Sequence, residues 1–369
     1  MGPAWPCAGA DSVTLVTDPQ ARLATWFAAQ LGVDTVTIDD FAGVPTGHSA
    51  ETIKLTLVWD DAGPQRRDVV VRVRPEPPGL LEPYDLRMQF DLLRALEPTP
   101  VRAPRVLWYE DTGDVLGREC FVMECAEGTV YERAIPNELT DDPPRVRRMS
   151  EALVDELVAI HDVDIATLSF LGDGSDSVAR ELAHWESEMR RVQRGPLPAL
   201  ELLLAELERR RPAASEMVTL VHGDAKPGNY AFVGDRLSAT FDWEMAALGD
   251  PMTDLAYAQV TWKLPNMFTT LPSSLSTDEL VARYVERTGR AVRDLEWHRA
   301  LQGFKLGVIL LLGSMLFDAG HSDDPRLGVM GYGVEMFTTP AWAEFGIHEP
   351  PEQGAVLPRP ERLALLSAG

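Results

Sequence analysis

The chain has 369 residues, 45% of them hydrophobic and 25% charged, and carries a formal net charge of −23. That length exceeds what a single hydrophobic core commonly serves and predicts two lobes, while the negative charge excludes nucleic acid and anionic membrane as partners and would draw in a cation. Three cysteines, Cys7, Cys120 and Cys125, make no paired framework and read as reduced thiols of a cytoplasmic protein.

The first residues, MGPAWPCAGADSV, lack the charged start and long apolar stretch of a secretion signal. Asp18 followed by Pro19 marks a helix start, and Leu23, Trp26, Phe27 and Leu31 then share one face. Alternation replaces that period in three predicted strands, 34–42, 51–59 and 68–74. YDLRMQFDLLRAL predicts a helix with Leu86, Phe90 and Leu93 in register, and RVLWYE and RECFVMEC predict two further strands. Beyond AEGTV the texture becomes helical, with helices predicted at 143–162, 180–193, 198–211, 276–287 and 293–317. Two short strands, near 217–222 and 236–242, interrupt them. The most apolar run, Leu306 to Phe317, is too short to span a bilayer and predicts a buried helix. The tail from Pro350 reads as a loosely attached arm. The fold class expected is α+β: a small antiparallel-sheet lobe over residues 1–127 and a larger, mainly helical lobe over 128–369.

The chemistry concentrates between the two short strands, in LVHGDAKPGNYAF and the following FDWEMAALGD. Asn229 stands five residues after Asp224, and Asp242 thirteen after Asn229. This spacing lets the oxygens of Asn229 and Asp242 converge on one hard cation, and magnesium takes such ligands while keeping waters and phosphates in the rest of its shell. Asp224 is left as a carboxylate able to accept a proton from an attacking hydroxyl, and Lys226 can set its ammonium against a transferring phosphate. Lysine is scarce: of 34 basic residues only Lys54, Lys226, Lys263 and Lys305 are lysines. Read without further context, Asp224 and Asn229 serve equally well as turn formers in a polar hairpin.

HGDAKPGN followed by FDWE resembles the catalytic and metal loops of the aminoglycoside phosphotransferase family, part of the protein-kinase-like superfold. The resemblance implies a two-lobed protein-kinase-like fold, ATP or GTP as phosphate donor, Mg2+ as cofactor and a small-molecule hydroxyl as acceptor. It implies that His222 is a buried scaffold residue orienting the loop, and that Asp254, in GDPMTDLAY, braces that loop by hydrogen bonding. Asp254 is also a first-turn acid of its helix, which the dipole favours. The Asp-x-Lys-Pro-x-Asn run also resembles protein kinases, where the lysine touches the terminal phosphate.

The family places a phosphate-gripping lysine on the third strand of the small lobe, paired to a helix glutamate. Here that strand, VVVRVRP, offers Arg72, and the helix position holds Gln89, which can hydrogen-bond a guanidinium but cannot pair with it ionically. Residues 43–51, GVPTGHSAE, could fold over the phosphates with Ser49 facing them, or simply make a hairpin turn. FVMECAEG resembles the family hinge, with the Glu124 carbonyl and Ala126 N–H meeting a purine edge and Met123 backing the ring. The details TGHSAETI, VVVRVRP and YDLRMQF resemble the subset found fused to or beside acyl-CoA dehydrogenases. Two functions follow: a nucleotide-dependent O-kinase, or a nucleotide-binding pseudokinase that regulates a partner, which Gln89 and the missing strand lysine would favour. Aminoglycoside, hydroxyacyl-CoA, choline-like amine and sugar acceptors are all compatible with the sequence, as is any oligomeric state.

Overall fold

The computed structural model describes residues 18–44, 51–132, 134–213, 217–352, 354 and 356–363. In chain order the elements are α1 (Pro19–Leu31), β1 (Thr37–Val44), β2 (Glu51–Asp60), β3 (Pro64–Val73), α2 (Leu86–Leu96), β4 (Val106–Glu110), β5 (Cys120–Glu124) and β6 (Thr129–Val130). Then follow α3 (Asn137–Thr140), α4 (Pro143–His161), α5 (Ser177–Val192), α6 (Pro198–Arg209), β7 (Thr219–Val221), β8 (Tyr230–Val233), β9 (Arg236–Thr240) and β10 (Ala247–Gly249). The chain ends with α7 (Met252–Thr261), α8 (Thr277–Thr288), α9 (Leu295–Ala319), α10 (Pro325–Met330), α11 (Val334–Glu344) and α12 (Pro360–Leu363).

The first compact unit comprises the chain up to Arg74 together with Leu107–Glu124. Its five-stranded sheet has the order β1-β2-β3-β5-β4, with β1, β2, β3 and β5 successively antiparallel. Alternation along each strand sorts the side chains into two faces. Ile53, Leu55, Leu57, Val69, Val71, Val73, Cys120 and Val122 form one core with Leu23 and Phe27 of α1. The register sets Thr52 opposite Arg72, Lys54 opposite Val70, Arg72 opposite Phe121 and Val70 opposite Met123, so these six share the other face. Asp18 caps α1 as its sequence predicts, accepting from the Ala21 N–H at 3.0 Å.

The second unit comprises Pro75–Val106 and the chain from Cys125 onward. A single cut near residue 127 therefore does not describe the division, because the segment carrying α2 belongs with the helices. The reasons are local. α2 lies against the 3-10 turns Ile165–Leu171 and Trp243–Met245, and the Arg102 backbone donates to Glu156 at 2.6 Å and accepts from the Thr240 N–H at 2.7 Å.

α9 is the axis of this unit. It packs against α5, α6, α7, α10 and α11. Its 25 residues exceed the short apolar run seen in the sequence and are long and apolar enough to cross a membrane, yet 78% of its most apolar stretch is buried among those neighbours. A second core joins α4, α7 and α8 to β8 and β9. β8 and β9 form a hairpin, so the second of the two predicted flanking strands, near 236–242, has a partner that the loop-like sequence PGNYAF did not announce. The described part of the tail is tied down at Arg359 and Arg362 rather than loose. The Arg359 N–H and guanidinium bind Asp318, while Arg362 donates to the Phe317 carbonyl at 2.8 Å and stacks 4.6 Å from the Phe317 ring. Cys120 and Cys125 are free thiols, and burial pushes Cys120 up to about 12.

Candidate functional site: the loop between β7 and β8

β7 pairs antiparallel with β10, and the chain then bends sharply at His222 and Gly223. Gly223 has φ +79°, and a Cβ there would stand 2.3 Å from the Met245 carbonyl oxygen. Positive φ and close backbone approach together leave no residue but glycine. The two N–H groups exposed by the bend are collected by one carboxylate. Asp254, on the first turn of α7, accepts from His222 N at 2.6 Å and from Gly223 N at 2.8 Å. His161, at the end of α4, lies 3.2 Å from the same carboxylate, and its other ring nitrogen lies 2.8 Å from the Tyr284 hydroxyl. Burial alone would raise the Asp254 carboxyl; the hydrogen bond and charge of His161, with His222, outweigh it and hold Asp254 below its usual value.

His222 is fully buried. Its Nδ1 accepts the Asp224 N–H at 3.1 Å, and its Nε2 lies 2.8 Å from the Phe241 carbonyl, to which it must donate. That pair of bonds selects the neutral Nε2–H tautomer, and burial lowers the imidazole pKa in the same direction. Both nitrogens are committed to backbone, which suits a scaffold and leaves no free proton to move.

Asp224 is 7% exposed and takes three side-chain donors. Oδ2 accepts from Lys226 Nζ at 2.9 Å and from Asn229 Nδ2 at 2.9 Å, and Oδ1 accepts from the Tyr257 hydroxyl at 2.6 Å. Burial works to raise this carboxyl; the Lys226 charge and the Tyr257 and Lys226 hydrogen bonds outweigh it and depress it. On the partner, burial works against the Lys226 ammonium, and the charges of Asp224 and Asp242 raise it above its ordinary value. Burial and the Asp224 charge push the Tyr257 phenol well up, so Tyr257 is a donor to Asp224 and no competing base. Two lone pairs of Oδ2 and one of Oδ1 are thus filled, and one on Oδ1 is left.

The 3-10 turn Pro227–Asn229 brings the chain back. Asn229 N donates to the Lys226 carbonyl at 3.0 Å, and the Asn229 carbonyl accepts from Phe241 N at 2.8 Å, which fixes Asn229 next to the end of β9. Asp242 follows immediately, in the left-handed region at φ 60°, a conformation that Asp tolerates better than most residues. Asn229 Nδ2 is spent on Asp224, bonding its backbone oxygen at 2.8 Å as well as its carboxylate, so the amide oxygen takes no part in that contact. An amide oxygen and a carboxylate make a hard-oxygen pair suited to a divalent cation. Among the described residues no group of three His, Cys, Asp or Glu could hold a metal unaided.

The loop therefore assembles Asp224, Lys226, Asn229, His222 and Asp254, with Asp242 beside them. The nucleotide-side candidates stand on other elements. Arg72 and Met123 share the α1-free face of the sheet, and Glu124 closes β5 opposite Val69 with its carboxylate on Arg67. Ala126 follows in the loop opening the second unit, Gln89 is buried on α2 in that unit, and Ser49 lies outside the described residues. Sequence reading overlooked Tyr257, His161 and Lys305. Tyr257 had a signal, since it stands one turn after Asp254 on the same helix face; Lys305 had only its rarity.

A family model for the phosphotransferase enzyme family (APH) matches residues 43–301. The mouse (Mus musculus) acyl-CoA dehydrogenase family member 10 is 27% identical over 254 residues, covering 68% of this chain and 23% of that protein. The rat (Rattus norvegicus) acyl-CoA dehydrogenase family member 11 is 28% identical over 258 residues, covering 64% of this chain and 32% of that protein. The chain thus spans about a quarter to a third of the length of these relatives. Among solved structures, a Ralstonia eutropha protein assigned to the aminoglycoside phosphotransferases superposes with a TM-score of 0.66 at 20% identity, over 90% of this chain and 99% of the other. The aminoglycoside phosphotransferase APH(4)-Ia, in ternary complex with ADP and hygromycin B, gives 0.55 at 15% identity, over 89% and 99%. These likenesses carry the fold, which is the protein-kinase-like α+β fold. By the family match over most of its length, the chain belongs to the phosphotransferase enzyme family.

Proposed function

We propose that the chain is a nucleoside-triphosphate-dependent O-phosphotransferase that moves the γ-phosphoryl group to a hydroxyl of a small molecule. The observation that carries this reading is the buried Asp224 carboxylate, pinned by Tyr257, Lys226 and Asn229 and left with one open lone pair on Oδ1. That lone pair receives the acceptor's proton as its oxygen forms a bond to the γ-phosphorus. The bond from that phosphorus to the β,γ-bridging oxygen breaks, and nucleoside diphosphate leaves. Lys226 shares its ammonium between Asp224 and the transferring phosphoryl oxygens. Asn229 and Asp242 would hold magnesium, which supplies charge neutralisation between the phosphates when bound. Two protein oxygens make an incomplete shell, so Asn229 and Asp242 would bind the ion only together with the nucleotide's phosphates. Arg72 would grip the phosphates from the sheet face, and the Glu124 carbonyl and Ala126 N–H would meet the base.

An ATP-type donor is supported by the ADP found in the related APH(4)-Ia complex. An alcohol acceptor is supported by the Asp224 carboxylate, whose three side-chain donors leave one Oδ1 lone pair to take a hydroxyl proton. The regulatory, non-catalytic alternative draws on Gln89 and on the lysine missing from the third strand, whereas the loop keeps Asp224, Lys226, Asn229 and Asp242. The test is ADP release from magnesium–ATP, followed with a panel of hydroxylated amines, sugars and hydroxyacyl thioesters. Release that requires magnesium and rises with one acceptor class is expected. Binding of nucleotide with no release under any acceptor or with water would overturn the reading.

A further inference from the structure

Lys305 sits in the middle of α9, between Phe304 and Leu306, and is 2% exposed. Lysine is almost never buried unless something holds its charge. Its Nζ donates to the Gly223 carbonyl at 2.6 Å. It lies 4.9 Å from the centre of the Tyr257 ring and 5.4 Å from that of Trp185, within cation–π range of both. Glu181 Oε1 stands 3.8 Å away, and Glu181 is itself fixed by Thr253 Oγ1 at 3.1 Å and Gln302 Nε2 at 3.2 Å. Side chains of α5, α7 and α9 thus make a cradle for one ammonium.

The two strongest of these contacts converge on the same place. Gly223 is the residue before Asp224, and its carbonyl orientation sets the peptide that presents the carboxylate. Tyr257 carries the hydroxyl that fills one lone pair of Asp224 Oδ1. A cation over the face of a phenol polarises its O–H outward and strengthens the bond it donates. If the ammonium served packing alone, an unbranched apolar side chain would fill the same space without desolvating a charge, and such replacements are commonly neutral or stabilising.

We propose that Lys305 is a positioning residue for Asp224, acting through the Gly223 carbonyl and the Tyr257 hydroxyl to reserve the last Oδ1 lone pair for the acceptor. This rests on the phosphotransferase reading above. Water stands in for the acceptor in the test, which measures hydrolysis of magnesium–ATP by the full chain and by Lys305→Met, Tyr257→Phe, their double variant, Glu181→Gln and Asp224→Asn. Lys305→Met and Tyr257→Phe should each lower kcat about ten-fold with the KM for magnesium–ATP within about two-fold, since misorienting a reacting group costs rate rather than binding. The double variant should lose little more than the worse single one, because both act on one hydrogen bond; independent roles would give additive losses. Should Lys305→Met fail to fold, Tyr257→Phe and Glu181→Gln carry the test, and both are expected to lose kcat. Normal kcat in Lys305→Met, or in both of those substitutes, overturns the proposal, as do additive losses or an effect confined to KM. If Asp224→Asn still hydrolyses ATP at the parent rate, the phosphotransferase reading falls and this one with it; if Asp224→Asn is inactive and Lys305→Met is not, only this one falls.

Discussion

The His222–Asn229 loop and the Arg72 face of the sheet are both candidate contacts for a nucleotide, and they are built by opposite means. In the loop almost every polar atom is spent on another polar atom of the fold. His222 uses both nitrogens, Asp254 takes two backbone N–H groups, and Asp224 takes three side chains. On the sheet face, strand alternation puts Thr52, Lys54, Arg72 and Met123 side by side, and Lys54 is exposed. The first region fixes its geometry before any ligand arrives, because a half-satisfied buried network costs more than none. The second takes its order from the backbone ladder of the sheet, so a side chain there can change without moving the strand. Single substitutions should therefore propagate in the first region and stay local in the second.

The largest effect expected is that of Gly223→Ala. The added methyl meets the Met245 carbonyl at 2.3 Å on a backbone held at φ +79°. Strain of that kind, with the backbone shift needed to relieve it, should destabilise the chain by about 3 kcal/mol or more in urea unfolding. An unchanged midpoint would mean that the bend is not rigid and that the contrast with the sheet face is overstated.

The smaller effect sharpens the other side. Arg72→Ala should weaken binding of a non-hydrolysable ATP analogue about ten-fold in calorimetric titration, the loss of a charge-assisted hydrogen bond or two, while leaving unfolding unchanged. Arg72→Lys should recover part of that, since lysine lacks the fork. Arg74→Ala should change affinity least, because its guanidinium is engaged with Glu119. If instead Lys54→Ala weakens binding and Arg72→Ala does not, the phosphate ligand is on β2.

This difference also decides what could be read from the sequence. The loop was legible because transfer chemistry demands particular side chains at short, fixed spacings, so Asp224, Lys226, Asn229 and Asp242 announce themselves. The strands of the first unit were legible from alternation, and most long helices from their period. What escaped was whatever depends on contact between distant segments. Tyr257 reaches Asp224 from α7, 33 residues further along the chain, and Lys305 reaches Gly223 from α9, 82 residues on. His161 braces Asp254 from α4, and nothing in VAIHDVD distinguishes it from any buried helix-end histidine. The membership of α2 in the second unit, and the clamping of the tail on Asp318, follow from packing that no local pattern encodes.

In the proposed reaction Asp224 is the base and is not needed to hold the nucleotide. Asp224→Asn keeps the shape of the side chain and removes its ability to take a proton. Measured side by side with the parent chain, it should bind magnesium–nucleotide within about two-fold and lose about 100-fold or more in turnover. Near-normal turnover in Asp224→Asn would contradict the account.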